Sequence, residues 1–275
     1  MKTSTISNTS PLLRTIGFGY ALLAYLGFFA SFGYFILRTM GYVERWGIGA
    51  GISLSPLGAL GLNVALVAGF AAQHTVMARP WFKRSLTRLI PQPLERATFV
   101  WASNASLGLV SYLWANTSGE GFVLWQVDGP ILDWGLWALG LLGWLGVAGS
   151  SFLIDHFELF GLRQALCWAK GRTFIHNEFK VPGAYRVVRH PMMLAMLVGL
   201  WGSGEMSLVR LSLSVLLTAY VLFGVRLEER DLVAVFGDRY LRYRERVPQL
   251  FPRLVPRLGV RAGSASRSEQ THAAE

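Results

Sequence analysis

Six stretches of this chain carry no Asp, Glu, Lys or Arg, and each is closed at both ends by a charged or titratable side chain. They cover residues 15–37, 46–73, 97–119, 134–154, 191–204 and 211–225. The first four are long enough to cross a bilayer, which takes about 20 helical residues. Pro56 marks a helix start inside the second, because proline suits the first helical position. The fifth reaches only about 21 Å as a helix. The turn "GSGEMS" joins it to the sixth, so the two read as a helical hairpin with one short arm.

The first run follows Lys2 and Arg14, as the apolar core of a signal peptide follows basic residues. It is longer than such a core and lacks a clean small-x-small cleavage site, so it reads as a retained helix. Residues 155–190 are polar, aromatic and basic. Residues 228–247 have the pattern of an amphipathic helix, with Leu232, Val235 and Phe236 on one face and Tyr240, Tyr243 and Arg244 nearby. The small, polar tail from Arg261 reads as disorder. The expected architecture is an all-α integral membrane protein. It has five to six transmembrane helices, a C-terminal hairpin and a cytoplasmic amphipathic helix, in a single domain over 1–252 with a disordered 253–275.

Composition sharpens this. Charged residues make up 15% of the chain, against about 25% in soluble domains. The net charge of +10 reads as cytoplasmic loops facing anionic lipid, not as nucleic-acid binding. The single cysteine, Cys167, excludes an intrachain disulfide, a CxxC pair and a cysteine-rich metal site.

The loop charges orient the helices. Residues 79–96 hold Arg79, Lys83, Arg84, Arg88 and Arg96 against one acid, Glu95. Residues 155–190 hold Arg163, Lys170, Arg172, Lys180, Arg186 and Arg189. Residues 120–133 have Glu120, Asp128 and Asp133 and no base, and the 202–207 turn has only Glu205. The positive-inside rule puts the basic loops, and everything after Arg226, in the cytoplasm. Both termini then lie inside, and Arg38 and Arg45 fall on the outer side against the rule.

The chemistry concentrates at the cytoplasmic ends. "RHP" (189–191) stands where a polar loop enters an apolar run, and "EERD" (228–231) stands where an apolar run ends. Each has a plain reading: a snorkelling Arg with an interfacial His and a helix-starting Pro, or a solvated helix with local ion pairs. Two acids at a helix C-terminus oppose the macrodipole, so either the helix continues past Glu229 or a cation compensates.

The order RHP, short hairpin, EE and amphipathic C-terminal segment resembles the isoprenylcysteine carboxyl methyltransferase-like membrane enzymes. Within them it is similar to the bacterial branch that methylates methanethiol. The resemblance includes "QHTVMARPWFKR", "PQPLERATFV" and "LEERDLVAVFGDRYLRYRERVPQLFP", and covers roughly residues 60–252. It implies S-adenosylmethionine as methyl donor, bound from the cytoplasm by residues of about 181–252. Arg189 and His190 would hold the cofactor carboxylate, and Glu228 and Glu229 its ammonium and ribose hydroxyls. Tyr185, Tyr240 and Arg244 would be secondary donors, with Pro191 placing a helix N-terminus near the anionic group. The family pattern after RHP has a Tyr and then a Gly. Met193 and Ala195 stand there instead, so a polar contact is lost or supplied elsewhere, or the Met193 thioether lines a pocket for a small sulfur substrate.

The implied reaction turns methanethiol into dimethyl sulfide, and its nucleophile is a thiolate. His74 is the candidate base, as an ionisable residue near the end of an apolar helix. Gln73 and Arg79 flank it as candidate substrate residues. The open alternative for His74 is an interfacial histidine bonded to a neighbouring helix. His156 and His176 are weaker candidates in a loop that otherwise reads as an interfacial amphipathic segment. Asp155, His156 and Glu158 do not share a helical face, so no metal is expected. Alternative functions are methylation of a lipid or prenylated thiol and, less favoured, an NADPH-dependent membrane reductase. A transporter is disfavoured because its polar residues would lie near the midplane. A bacterial inner membrane is the expected location, membrane lipid the expected surroundings, and oligomeric state is not legible.

Overall fold

A computed structural model of the chain describes residues 9–118, 122–175 and 180–252. His176, Glu120 and the 253–275 tail lie outside the described residues.

Eleven α-helices are found among the described residues. The long ones are α1 (Pro11–Thr39), α3 (Pro56–Ala78), α5 (Glu95–Leu113), α6 (Pro130–Ile154) and α10 (Leu208–Phe236). The shorter ones are α2 (Tyr42–Trp46), α4 (Pro80–Leu86), α7 (His156–Leu159), α8 (Leu162–Ala169), α9 (Pro191–Trp201) and α11 (Asp238–Arg246). Proline opens α1, α3, α4, α6 and α9, where its missing N–H would be unpaired anyway. Ser10, Ser55 and Ser207 cap α1, α3 and α10 by accepting from the N–H three residues on.

Four helices, α1, α3, α6 and α10, are long and apolar enough to cross a membrane. Their outer faces carry large exposed apolar side chains such as Leu23, Leu57, Leu142 and Phe223, as lipid-facing surfaces do. The chain is an integral membrane protein. The 97–119 run becomes α5, which packs between α1 and α3. Asn104 on α5 donates to Ala24 O at 2.8 Å and accepts from Ser31 at 3.2 Å. Buried polar residues of this kind join helices in lipid. The first run is part of this bundle, since α1 packs on both α5 and α8.

α6 and α9 form the closest helix pair. Gly140 and Gly143 on α6 abut Gly202, Gly199 and the Ala195 carbonyl. Small residues let the backbones touch, which is how helices gain contact where lipid offers no hydrophobic drive. Trp144, Phe35, Val147, Leu200, Leu213 and Leu217 fill the core beside that seam.

The sequence expectation of one amphipathic helix over 228–247 is corrected. α10 runs straight through Glu228 and Glu229 to Phe236. Gly237 then breaks the helix at φ +53°, ψ −133°, a conformation open in practice only to glycine. α11 begins at the next residue, and Val235 is exposed rather than on a buried face.

The basic segments converge on one end of the bundle, where Arg79 pairs with Asp231, Arg96 reaches Leu159 and Arg189 reaches Glu229. At the other end short ribbons join the loops. β1 (Ser53–Leu54) runs parallel to β2 (Asn116–Thr117), and β3 (Val123–Gln126) antiparallel to β4 (Glu205–Ser207). Arg38, basic at that end, is buried and ion-paired with Glu44 while donating to Ser111 O at 2.9 Å. Its exception to the charge rule therefore has a counter-ion.

Candidate active site

The turn before α9 carries Arg189 and His190. Their backbone N–H groups donate to Pro248 O at 2.8 Å and Gln249 O at 3.1 Å, so the segment after α11 docks on this turn. The Arg189 side chain continues the junction. Nε and Nη2 each lie 2.7 Å from Glu229 Oε1, and Nη1 donates to Arg244 O at 2.9 Å and Val247 O at 2.6 Å. Every nitrogen of this guanidinium therefore has a protein acceptor.

His190 is buried between the two glutamates. Nε2 lies 3.1 Å from Glu229 Oε1 and Nδ1 3.4 Å from Glu228 Oε2. Two carboxylates facing both ring nitrogens suit an imidazolium, which donates from each. Burial alone would lower its pKa, but the hydrogen bonds and charges of Glu228 and Glu229 outweigh it and raise the value above the ordinary 6.5.

The glutamates differ in access. The Glu229 side chain is 9% exposed and Glu228 48%. Glu229 is locked into the junction, whereas Glu228 presents an open carboxylate. Tyr185 and Tyr240 both lie within its electrostatic reach. Burial, then Glu228, raises Tyr185; burial, then Glu229, raises Tyr240. Tyr243 is pushed up to about 12 by burial, with Glu229 adding and Arg189 opposing. All three remain phenols at neutral pH, and Tyr243 OH donates to Tyr185 O at 2.6 Å.

The other predicted residues are placed as follows. Pro191 is buried at the first position of α9. Arg244 contributes its carbonyl to Arg189, and the residue is exposed. Met193 is half-buried, while Met192, Ala195 and Met196 of the same helix pack on the core. His74 projects from α3 with Nδ1 3.2 Å from Ser103 Oγ of α5. Its ring packs against Phe70, Phe99 and Tyr220. Its Nε2 has no hydrogen-bond partner among the described residues. Gln73 bridges Met77 and Ser106, and Arg79 pairs with Asp231 of α10 at 3.2 Å.

His156 is buried. Its Nε2 meets Tyr25 OH at 2.9 Å, its Nδ1 meets Ser151 Oγ at 2.7 Å, and its ring stacks on Phe152 at 4.0 Å. Burial lowers its pKa, with Asp155 opposing. It reads as a packing residue tying α1, α6 and α7 together.

One residue at the site escaped sequence reasoning. Arg96, in the first turn of α5, lies 4.8 Å over the Phe99 ring, and the same ring packs on His74. A cation in a helix's first turn opposes the macrodipole, and that was the available signal.

No protein-family model and no solved structure matches the chain. Curated relatives do. Methanethiol S-methyltransferase 1 of Bradyrhizobium diazoefficiens is 38% identical over 243 residues, covering 88% of this chain and 84% of the relative. The methanethiol S-methyltransferase of Mycobacterium tuberculosis is 39% identical over 234 residues, covering 85% and 94%. That of Pseudomonas sp. strain GM41 is 40% identical over 252 residues, covering 90% and 94%. Each of these matches spans most of both chains at 38–40% identity, and the chain belongs to the methanethiol S-methyltransferase family.

Proposed function

We propose that this protein transfers a methyl group from S-adenosylmethionine to methanethiol, releasing dimethyl sulfide, at the basic, cytoplasmic end of the bundle. The observation that carries the reading is the 38–40% identity to enzymes of that name over most of both chains. The donor set around Glu228 fits the cofactor. An open carboxylate beside phenols suits an ammonium and ribose hydroxyls, and the cations nearby suit a carboxylate. Bound there, the cofactor supplies a methyl carbon made electrophilic by its sulfonium.

The chain's own residues then divide the work. Glu228 takes the cationic and hydroxyl groups of the cofactor, with Tyr185 and Tyr240 as neutral donors. Arg189, His190 and Glu229 hold the wall of the site, because their polar atoms bind one another and the 244–249 backbone. Pro191 opens α9 with its N-terminal N–H groups toward that wall. Arg244 supports it through its carbonyl.

His74 takes the thiol proton. With Nδ1 held by Ser103, Nε2 is the ring nitrogen that accepts it. Phe70, Phe99 and Tyr220 surround the imidazole and keep water from competing. Gln73 and Arg79 fix α3 against α5 and α10 on either side of it, and Met193 borders the small sulfur substrate.

Purified protein in detergent, given S-adenosylmethionine and methanethiol, should release dimethyl sulfide detectable by gas chromatography. Clear S-adenosylmethionine binding without that product would move the acceptor to a lipid or prenylated thiol.

A further inference from the structure

We infer that Tyr220 sets the size of the methyl acceptor: its ring, held against His74 by a hydrogen bond to Thr75, admits a one-carbon thiol and excludes longer alkyl thiols. The inference rests on His74 being the base that meets the thiol.

The first ground is enclosure. Around the His74 ring, Phe70 is stacked at 5.4 Å between centroids, Phe99 tilted at 4.8 Å and Tyr220 perpendicular at 6.4 Å. Tyr220 also meets Phe70 edge to face at 6.0 Å. Rings at these separations are in contact, so no alkyl chain passes between them. Ser103 occupies the Nδ1 side. A thiol that reaches Nε2 therefore has its carbon against these rings.

The second ground is that the ring is fixed. Tyr220 OH lies 3.2 Å from Thr75 Oγ1, and Thr75 adjoins His74 on α3. The Thr75 carbonyl in turn accepts from Arg79 Nε at 3.3 Å. A longer acceptor must break the Tyr220 bond and displace a packed ring, which costs as overpacking does.

The third ground separates Tyr220 from its neighbours. Phe99 belongs to the buried core with Phe160 and Leu162, and Phe70 packs on the core that holds Trp144. Both rings stand on α3 and α5, which already meet through His74 and Ser103. Tyr220 closes the imidazole from a third helix, α10, which also carries Glu228. It is half-buried, so trimming it opens the enclosure without emptying the core.

The test is an internal competition. Full-length protein in detergent receives S-adenosylmethionine with equal concentrations of methanethiol and 1-propanethiol, and gas chromatography reads dimethyl sulfide against methyl propyl sulfide. The product ratio is the ratio of kcat/KM values and does not depend on how much protein is folded. A loss of structure alone lowers both sulfides and leaves the ratio unmoved. Wild type should favour methanethiol by about tenfold or more, since one methylene in an apolar pocket is worth about 10–200-fold. Tyr220→Ala should bring the ratio down by about tenfold or more. Tyr220→Phe, which keeps the ring and loses the Thr75 bond, should fall between, and Thr75→Val should match it. A wild type that uses both thiols equally would overturn the inference. So would a wild-type ratio in Tyr220→Ala, or a Tyr220→Phe as permissive as Tyr220→Ala. A wild type that forms neither sulfide would instead refute the small-thiol reading on which the inference rests.

Discussion

Arg189 holds Glu229 through two nitrogens at 2.7 Å while its third reaches the carbonyls of Arg244 and Val247. One side chain thus ties the α9 entrance, the lower turn of α10 and the segment after α11. Both partners are 9% exposed, so removing Arg189 leaves Glu229 buried with His190 as its remaining cationic partner. Arg189→Ala should destabilise the protein by about 3–5 kcal/mol, the range for breaking a buried pair from one side. It should also increase amide exchange across 244–250. Unfolding in detergent with hydrogen exchange reads both. Unchanged exchange there, with donor binding lost, would mean that Arg189 contacts the ligand directly.

His190 gives the junction a pH dependence of known sign. Its folded pKa lies above 6.5 because Glu228 and Glu229 outweigh its burial. Its contribution is therefore complete below 6.5 and is lost as pH rises through the raised value. Wild-type unfolding midpoints should fall across that window, and Glu228→Gln should move the window to lower pH. His190→Gln should flatten this component. The same slope in His190→Gln would assign the titration to another group.

Much of this was legible in sequence because lipid leaves few options. Uncharged runs bounded by charge located α1, α3, α6 and α10, since a single apolar run of that length satisfies its own backbone in a bilayer only as a helix. RHP and EE were correctly brought to one place, because the hairpin returns α10 to the start of α9. Partner choice is what the sequence does not show. Nothing in the order of residues shows that Arg189 is consumed by Glu229 and two carbonyls. Nor does it show that α10 carries both glutamates inside one unbroken helix. Arg96 reads in sequence as one more loop charge, because its contacts are with Phe99 one turn on and with Leu159, 63 residues away in sequence. Ala195 lies against Gly146 and Gly143 of α6, so small residues on both helices clear the crossing.

That crossing makes its own prediction. A methyl group at Gly143 would overlap the backbone of Gly199 and Ala195, whereas one at Gly149 on the same helix meets nothing within 4 Å. Gly143→Ala should destabilise by at least the roughly 1–3 kcal/mol of an overpacked core. Gly149→Ala should be neutral or stabilising by up to about 1 kcal/mol from helix propensity. Equal unfolding midpoints for the two variants would show that α6 and α9 do not pack through these glycines.

His74 separates chemistry from binding. It shares the Phe99 ring with Arg96 and makes no contact with Glu228, Glu229 or Arg189 among the described residues. If it takes the thiol proton, His74→Ala should lower turnover by about 10²–10⁴, the usual yield of a positioned base. S-adenosylhomocysteine affinity should stay close to wild type, because His74 touches none of the residues proposed to hold the cofactor. The loss should shrink as pH rises, since thiolate already formed in solution needs no base. Ser103→Ala should show a smaller defect in the same direction, because it frees the ring that Ser103 holds at 3.2 Å. Dimethyl sulfide release measured across pH, beside calorimetric titration of the same preparations, reads all three. Turnover of His74→Ala equal to wild type at every pH would remove His74 from the chemistry and leave it as a packing residue of the α3–α5 interface.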